Sequence, residues 1–148
     1  MDEFMQAALA EPEKGRLTGG IPVGSVLVKE GYIIGRGHNK RVQYGDPITH
    51  AEIDCLRNAG RIGNYQGTTL YSTLMPCCMC AGAVVQFGIK KVLAGESATF
   101  PGAKKFMESH DVEVVDLDLD ECKQMMSEFI QNNPLFCNED IGKYRESN

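Results

Sequence analysis

The sequence predicts an α/β fold, a three-layer α/β/α sandwich around a central mixed sheet of about five strands. Short apolar segments alternate with helix-forming segments along most of the chain, which is typical of helices packed on both faces of one sheet. Lys29-Glu30-Gly31 separates two early strands and indicates a hairpin turn, so the sheet is expected to be mixed. With 148 residues and 43% hydrophobic composition, we expect a single domain over residues 1–148 with one core.

Single glycine and proline residues divide the predicted elements from one another. Apolar periodicity and helix start and stop signals assign each segment. Gly60 is expected to end the second helix, and Pro76 to open the third. The helices are expected over residues 2–13, 50–59, 76–87, 103–109 and 118–132. The strands are expected over residues 21–28, 32–37, 69–74, 91–94 and 112–115, and residues 42–48 are expected to form a loop.

Composition disfavours several classes of partner. Fifteen Lys and Arg against twenty Asp and Glu give a net charge of -5, so we expect no nucleic-acid partner. No apolar stretch approaches the roughly 20 residues of a membrane helix, and the start lacks the pattern of a secretory signal. We therefore expect no membrane association and a cytoplasmic location. In that reducing compartment, the isolated Cys55, Cys122 and Cys137 are expected to be buried thiols or bystanders.

Two short motifs carry the chemistry: His50-Ala51-Glu52 and Pro76-Cys77-Cys78-Met79-Cys80. Cys77 and Cys80 stand three residues apart at a predicted helix start, so both sulfurs face one side and the helix N-terminus favours thiolates. His50 adds a third ligand and leaves the fourth tetrahedral position for water, as in catalytic zinc sites. The sequence thus predicts one catalytic Zn²⁺ per chain.

Glu52 lies two residues beyond His50 and is predicted to move a proton without binding the metal. H-x-E followed by P-C-x-x-C is typical of zinc-dependent nucleobase deaminases. A redox pair and half of a structural zinc site are the alternatives for the two cysteines. Cys78 is expected to point away from the metal and pack in the core, whereas His38 and His110 are expected to be hydrogen-bonded or exposed.

With these motifs, the chain resembles the cytidine deaminase-like superfamily, and more closely the yeast-type cytosine deaminases. The resemblance runs through Gly35-Arg36-Gly37-His38-Asn39 to Asn138-Glu139-Asp140-Ile141-Gly142. It implies a homodimer with one zinc ion per subunit. It also implies that His50, Cys77 and Cys80 bind zinc, that Glu52 shuttles protons, and that Asn39, Asp140, Phe100, Val23, Leu74 and the backbone at Ala51 contact the base.

Alternatives remain open for several of these roles. Asn39 is also typical of a left-handed turn, Asp140 of a helix cap or solvated carboxylate, and Phe100 of core packing. Cys137 replaces the tryptophan of the yeast-type tail, and Met75 replaces a small hydroxyl residue. Both changes affect the expected pocket wall or lid, so the identity of the base stays open.

The resemblance implies hydrolytic deamination of a free nucleobase, most simply cytosine to uracil and ammonia in pyrimidine salvage. Isocytosine or guanine is the alternative substrate. A tRNA adenosine deaminase and a non-catalytic zinc module are the alternative functions.

Overall fold

Five strands form one sheet in the computed structural model, which describes residues 2–133. The helices are α1 (Glu3–Ala10), α2 (Glu13–Arg16), α3 (Arg41–Tyr44), α4 (Ala51–Ala59), α5 (Cys78–Phe87), α6 (Lys104–Ser109) and α7 (Asp120–Asn132). The strands are β1 (Gly24–Lys29), β2 (Tyr32–His38), β3 (Thr68–Ser72), β4 (Lys91–Ala94) and β5 (Glu113–Asp116). The predicted element types and their order are confirmed for most of this part of the chain.

The sheet has the strand order β2-β1-β3-β4-β5 and is mixed, as the hairpin predicts. β1 pairs antiparallel with β2 and β3, whereas β3, β4 and β5 are parallel. Glu30 and Gly31 both have positive φ, which matches the right-handed twist of the two hairpin strands. Because β3 and β4 are parallel, the loops that follow them leave the same edge of the sheet.

Apolar side chains alternate between the two faces of the sheet. On one face, Leu27 of β1 and Leu70 of β3 belong to a buried cluster that includes residues of α4, α5 and α6. On the other face, Val26 and Tyr71 pack with residues of α1. A third cluster joins Met126 of α7 to residues that precede β1 and begin α4. The three-layer α/β/α prediction is confirmed.

Several element boundaries differ from the sequence prediction. The helix expected to open at Pro76 begins at Cys78, and the strand expected to reach Leu74 ends at Ser72. The predicted helix over residues 2–13 is split into α1 and α2 next to Pro12, which lacks the backbone N–H that a continuous helix needs. The expected loop at residues 42–48 begins with the short helix α3, which ends at Gly45 in a left-handed conformation. β1 begins at Gly24 rather than Ile21. No helix within residues 2–133 is long and apolar enough to cross a bilayer.

Candidate metal centre and active site

The ends of two helices bring the predicted metal ligands together. His50 has an extended backbone and precedes the first residue of α4, and Cys77 does the same for α5. Cys80 lies in the first turn of α5, three residues beyond Cys77 and on the same side. The partial positive charge of a helix N-terminus stabilises thiolates at this position.

The donor atoms have the spacing that a tetrahedral zinc ion requires. His50 Nδ1 lies 3.5 Å from Cys77 Sγ and 3.6 Å from Cys80 Sγ. Zinc bonds of about 2.3 Å to sulfur and about 2.0–2.1 Å to nitrogen give a tetrahedral edge of roughly 3.6 Å. Among residues 2–133, this is the group of three whose ligand atoms lie within 4.8 Å of one another. The residues therefore fit zinc, and three protein ligands leave one position open.

Hydrogen bonds and burial set the charges of this group before metal binding. The Cys80 thiol, followed by His50, lowers the pKa of Cys77 to about 4 through hydrogen bonding. The same bond to Cys77 and burial raise the pKa of Cys80. Cys77 therefore presents a thiolate, and the second sulfur loses its proton when a metal binds.

Glu52 lies on the first turn of α4 and is only 3% exposed. Burial raises the pKa of its carboxyl group to about 7, although His50 acts in the opposite direction. Its side chain interacts with Cys80 and lines the same cavity as His50 and Cys77. The structure thus places a carboxyl group that is not itself one of the three candidate ligands beside them, as the H-x-E motif predicts.

A cavity of about 460 Å³ opens over the metal ligands. This volume lies within the range of about 300–1,000 Å³ that is common for small-molecule sites. Asn39, His50 and Glu52 contribute polar groups to the lining, and apolar side chains form most of the remaining wall. The lining residues are Val23, Asn39, Pro47, His50, Glu52, Leu74, Met75, Cys77, Cys78, Met79, Phe100, Pro101 and Gly102.

Asn39 is 2% exposed and is fixed by its neighbours. Its backbone N–H donates to the Val23 carbonyl at 3.1 Å, and its side-chain Oδ1 accepts from the Arg41 N–H at 3.0 Å. Its φ is not positive, so the left-handed turn alternative is wrong. Phe100 is half-buried, lines the cavity and also packs against the cluster of Met126, so it contacts both the core and the cavity.

The expectations for four residues differ from the structure or lie outside the described residues. Cys78 is exposed at the cavity rather than packed in the core, because it faces outward from the first turn of α5. Ala51 is fully buried beside Val23 but is not part of the cavity wall. Asp140 and Cys137 lie outside the described residues. The role of Asp140 in binding a base stays a prediction.

Sequence reasoning missed Pro47, Met79, Pro101 and Gly102 as cavity residues. Met79 and Pro101 were adjacent in sequence to residues already assigned to the site, which is the signal that could have found them. Gly102 has a φ of +66°, and a Cβ there would lie 2.6 Å from Met75 Cγ. The requirement for glycine at position 102 therefore depends on a tertiary contact that no local pattern shows.

Two hydrogen-bonded carboxylates hold the segments that carry the site. Asp54 of α4 is buried, pairs with Lys40 Nζ at 3.0 Å and accepts from the His38 backbone N–H at 3.1 Å. These bonds fix the chain on either side of Asn39. Asp46 accepts from the Thr49 N–H and hydroxyl at 3.0 Å and 2.7 Å, which lowers the Asp46 pKa and orders the approach to His50.

Comparison with known proteins agrees with this geometry. Residues 1–96 match the cytidine and deoxycytidylate deaminase zinc-binding region, which covers more than half of the chain. The chain belongs to this deaminase family. Zinc is therefore its cofactor, and His50, Cys77 and Cys80 are positioned to hold the ion.

Individual deaminases cover most of the chain. It is 42% identical over 142 residues to the cytosine deaminase of Candida albicans, covering 94% of this chain and 95% of that protein. It is 40% identical over 143 residues to a tRNA-specific adenosine deaminase of Haemophilus influenzae, covering 88% of this chain and 83% of that protein. A tRNA:A34 deaminase structure superimposes with a TM-score of 0.74 at 30% identity, covering 83% of this chain and 98% of that one.

Proposed function

We propose that the protein deaminates free cytosine to uracil and ammonia. The observation that carries the proposal is that Glu52, His50 and Cys77 line one cavity with Asn39 and Phe100. The third candidate ligand, Cys80, lies within ligand distance of His50 and Cys77. This arrangement provides a site for water activation beside a polar and an aromatic surface for a small ring. The similarity to a cytosine deaminase over 94% of the chain supports the choice of base.

His50, Cys77 and Cys80 would hold the zinc ion, which would lower the pKa of the attacking water toward neutrality. Glu52 accepts the proton of the water that attacks C4 of the base and delivers it to ring N3. It then takes the second proton, from the hydroxyl now on C4, and gives it to the amine as the C4–N bond breaks. One proton of the water thus stays on N3 of uracil and the other leaves with ammonia. Burial of Glu52 keeps bulk water away from this transfer.

The remaining cavity residues bind and orient the base. Asn39 offers its side-chain amide to the polar edge of the ring, and Phe100 packs against the ring face. Val23 and Leu74 complete the apolar wall. We also assign to Asp140 the hydrogen bond to the exocyclic amine, a role implied by the family resemblance.

A tRNA adenosine deaminase is the second candidate, because a protein with that activity is 40% identical to this chain. The net charge of -5 favours the free base, since a folded RNA is bound largely through its phosphates. Guanine and isocytosine remain alternative free bases. Met75, which is 2% exposed and lines the cavity, is one residue that affects which ring fits.

The cellular role follows from this chemistry. Conversion of cytosine to uracil belongs to pyrimidine salvage, and the reduced thiols that a zinc site requires favour the cytoplasm. By the family resemblance, we assign the protein a homodimeric state.

Purified zinc-loaded protein tests the proposal directly. Cytosine, isocytosine, guanine, cytidine and a tRNA anticodon stem-loop are supplied separately at equal concentrations, and ultraviolet absorbance and ammonia release are measured. We expect cytosine to have the highest kcat/KM. A preference for the stem-loop or for cytidine would contradict the free-base function.

Glu52→Gln tests the proton-transfer role, because the amide has nearly the same shape as the carboxyl group but cannot accept the proton. Deamination should fall by about 10²–10⁴-fold, while the zinc content stays at one ion per chain. Activity within threefold of the unaltered protein would remove Glu52 from the mechanism.

A further inference from the structure

The loop after β4 carries one wall of the cavity. Phe100, Pro101 and Gly102 all line the cavity, and they follow the end of β4 at Ala94 by only a few residues. No strand or helix includes residues 95–103. The position of Phe100 therefore depends on the contacts that this loop makes.

Glu96 provides a central contact of this loop. It is 0% exposed, an unusual position for a carboxylate without a hydrogen-bonded partner. Its Oε2 accepts from the Thr99 backbone N–H at 2.9 Å, and its Oε1 accepts from the Thr99 hydroxyl at 2.5 Å. The two bonds close a turn that ends immediately before Phe100.

The same turn is attached to the strand that leads to the zinc ligands. The Met75 backbone N–H donates to the Glu96 carbonyl at 2.8 Å, and Met75 stands two residues before Cys77. At the other end of the loop, Gly102 lies against Met75 and Pro76. Ser97 adds a hydrogen bond to Asp116 at the end of β5. The loop is thus held at its start and its end.

We propose that Glu96 is a positioning residue that sets the place of Phe100 and thereby the affinity for the base. It acts through Thr99 and does not line the cavity. Loss of one hydrogen bond to a buried charged group changes an equilibrium by on the order of tenfold. The expected consequence is weaker base binding with the zinc ligands and Glu52 undisturbed. The effect on base binding rests on the deaminase function proposed above.

Thr99 allows a mild test, because replacing the fully buried Glu96 can prevent folding. Thr99→Val removes the hydroxyl donor and keeps the backbone N–H, whereas Thr99→Ser retains the hydroxyl. Thr68→Val is the matched control, since the Thr68 hydroxyl also bonds three residues back, to the Tyr65 carbonyl. Thr68 lies at the start of β3, the opposite end of that strand from the site.

For Thr99→Val we expect KM to rise about tenfold and kcat to change by less than about twofold. Thr99→Ser and Thr68→Val should stay within about twofold of the unaltered KM, with one zinc ion per chain in all variants. A KM unchanged by Thr99→Val, or raised equally by Thr99→Ser, would overturn the positioning role. So would a loss of zinc in Thr99→Val.

A second measurement needs no substrate. The sequence has no tryptophan, so Phe100→Trp introduces a single fluorescent reporter into the loop. Adding Thr99→Val to this variant should increase acrylamide quenching at least about twofold, whereas adding Thr68→Val should not. Equal quenching in the two double variants would refute the role of the hydrogen-bonded turn in positioning residue 100. Failure of cytosine deamination would leave this measurement valid, so the two proposals fail separately.

Discussion

Replacement of Gly37 by alanine should destabilise the fold, because it forces β2 away from α4. A Cβ at this position would lie 2.3 Å from the Cys55 nitrogen, 2.6 Å from the Ala51 oxygen and 2.8 Å from the Asp54 carbonyl carbon. All three are backbone atoms of one helix, so no side-chain rotation relieves the contact. The strand and helix must move apart by about 1 Å to regain ordinary van der Waals distance.

The cost of this movement follows from the crowding. Overpacking a well-packed site costs about 1–3 kcal/mol, and backbone contacts favour the upper part of that range. Restricting the unfolded chain at a former glycine returns about 0.4–1 kcal/mol. A net loss of about 2 kcal/mol should lower Tm by roughly 4–8 °C for a chain of this size. Because α4 also carries Glu52, kcat should fall by on the order of 10²-fold.

Thermal unfolding at fixed protein and zinc concentrations measures the stability change. Gly82→Ala is the matched control, because Gly82 lies inside α5 and no heavy atom lies within 4 Å of its built Cβ. This variant should be as stable as the unaltered protein or more stable by up to about 1 kcal/mol. If Gly37→Ala melted at the same temperature as Gly82→Ala, the close approach of β2 to α4 would not constrain the fold as argued.

Two further predictions concern the cysteines. Cys77→Ser should weaken zinc binding by more than about 100-fold, which is a larger effect than is typical when a hydrogen-bond partner of a ligand is removed. Cys78→Ser should retain zinc. Competition with a chelator measures the zinc affinity of both variants. Equal zinc loss in the two variants would contradict the ligand assignment. In the folded protein at pH 8, iodoacetamide should spare Cys55 and Cys122, because burial raises the pKa of each thiol to about 12 and keeps the thiol protonated. Peptide mass spectrometry should find both modified after unfolding in guanidinium, and rapid modification in the folded state would contradict their burial.

Local patterns in the sequence were sufficient to predict a mixed sheet of about five strands and the candidate metal ligands. The hairpin turn at Glu30 and Gly31 depends on backbone conformations that short-range chemistry specifies. The ligand pair Cys77 and Cys80 spans the N-cap and the first turn of α5, a spacing that is also local. His50 could be added because few residue types bind zinc, and the chain contains only three histidines.

The orientation of side chains next to these motifs was less predictable. Cys78 was expected in the core but is exposed at the cavity, because it faces outward from the first turn of α5. Ala51 stands between two site residues, yet it is fully buried and lies outside the cavity wall. Helical periodicity gives the directions of side chains relative to one another around the helix axis, whereas tertiary packing determines what each side chain contacts.

The sequence by itself determined the fold class, the zinc donors and the acid-base role predicted for Glu52, because each depends on residue type and short spacing. Only the tertiary structure decided how the cavity is built. Glu96, Met75 and Gly102 come together because the parallel strands β3 and β4 end at the same edge of the sheet, and the loops that follow them must share one space. Contacts between segments that are distant along the chain depend on the arrangement of the strands, which no local motif records.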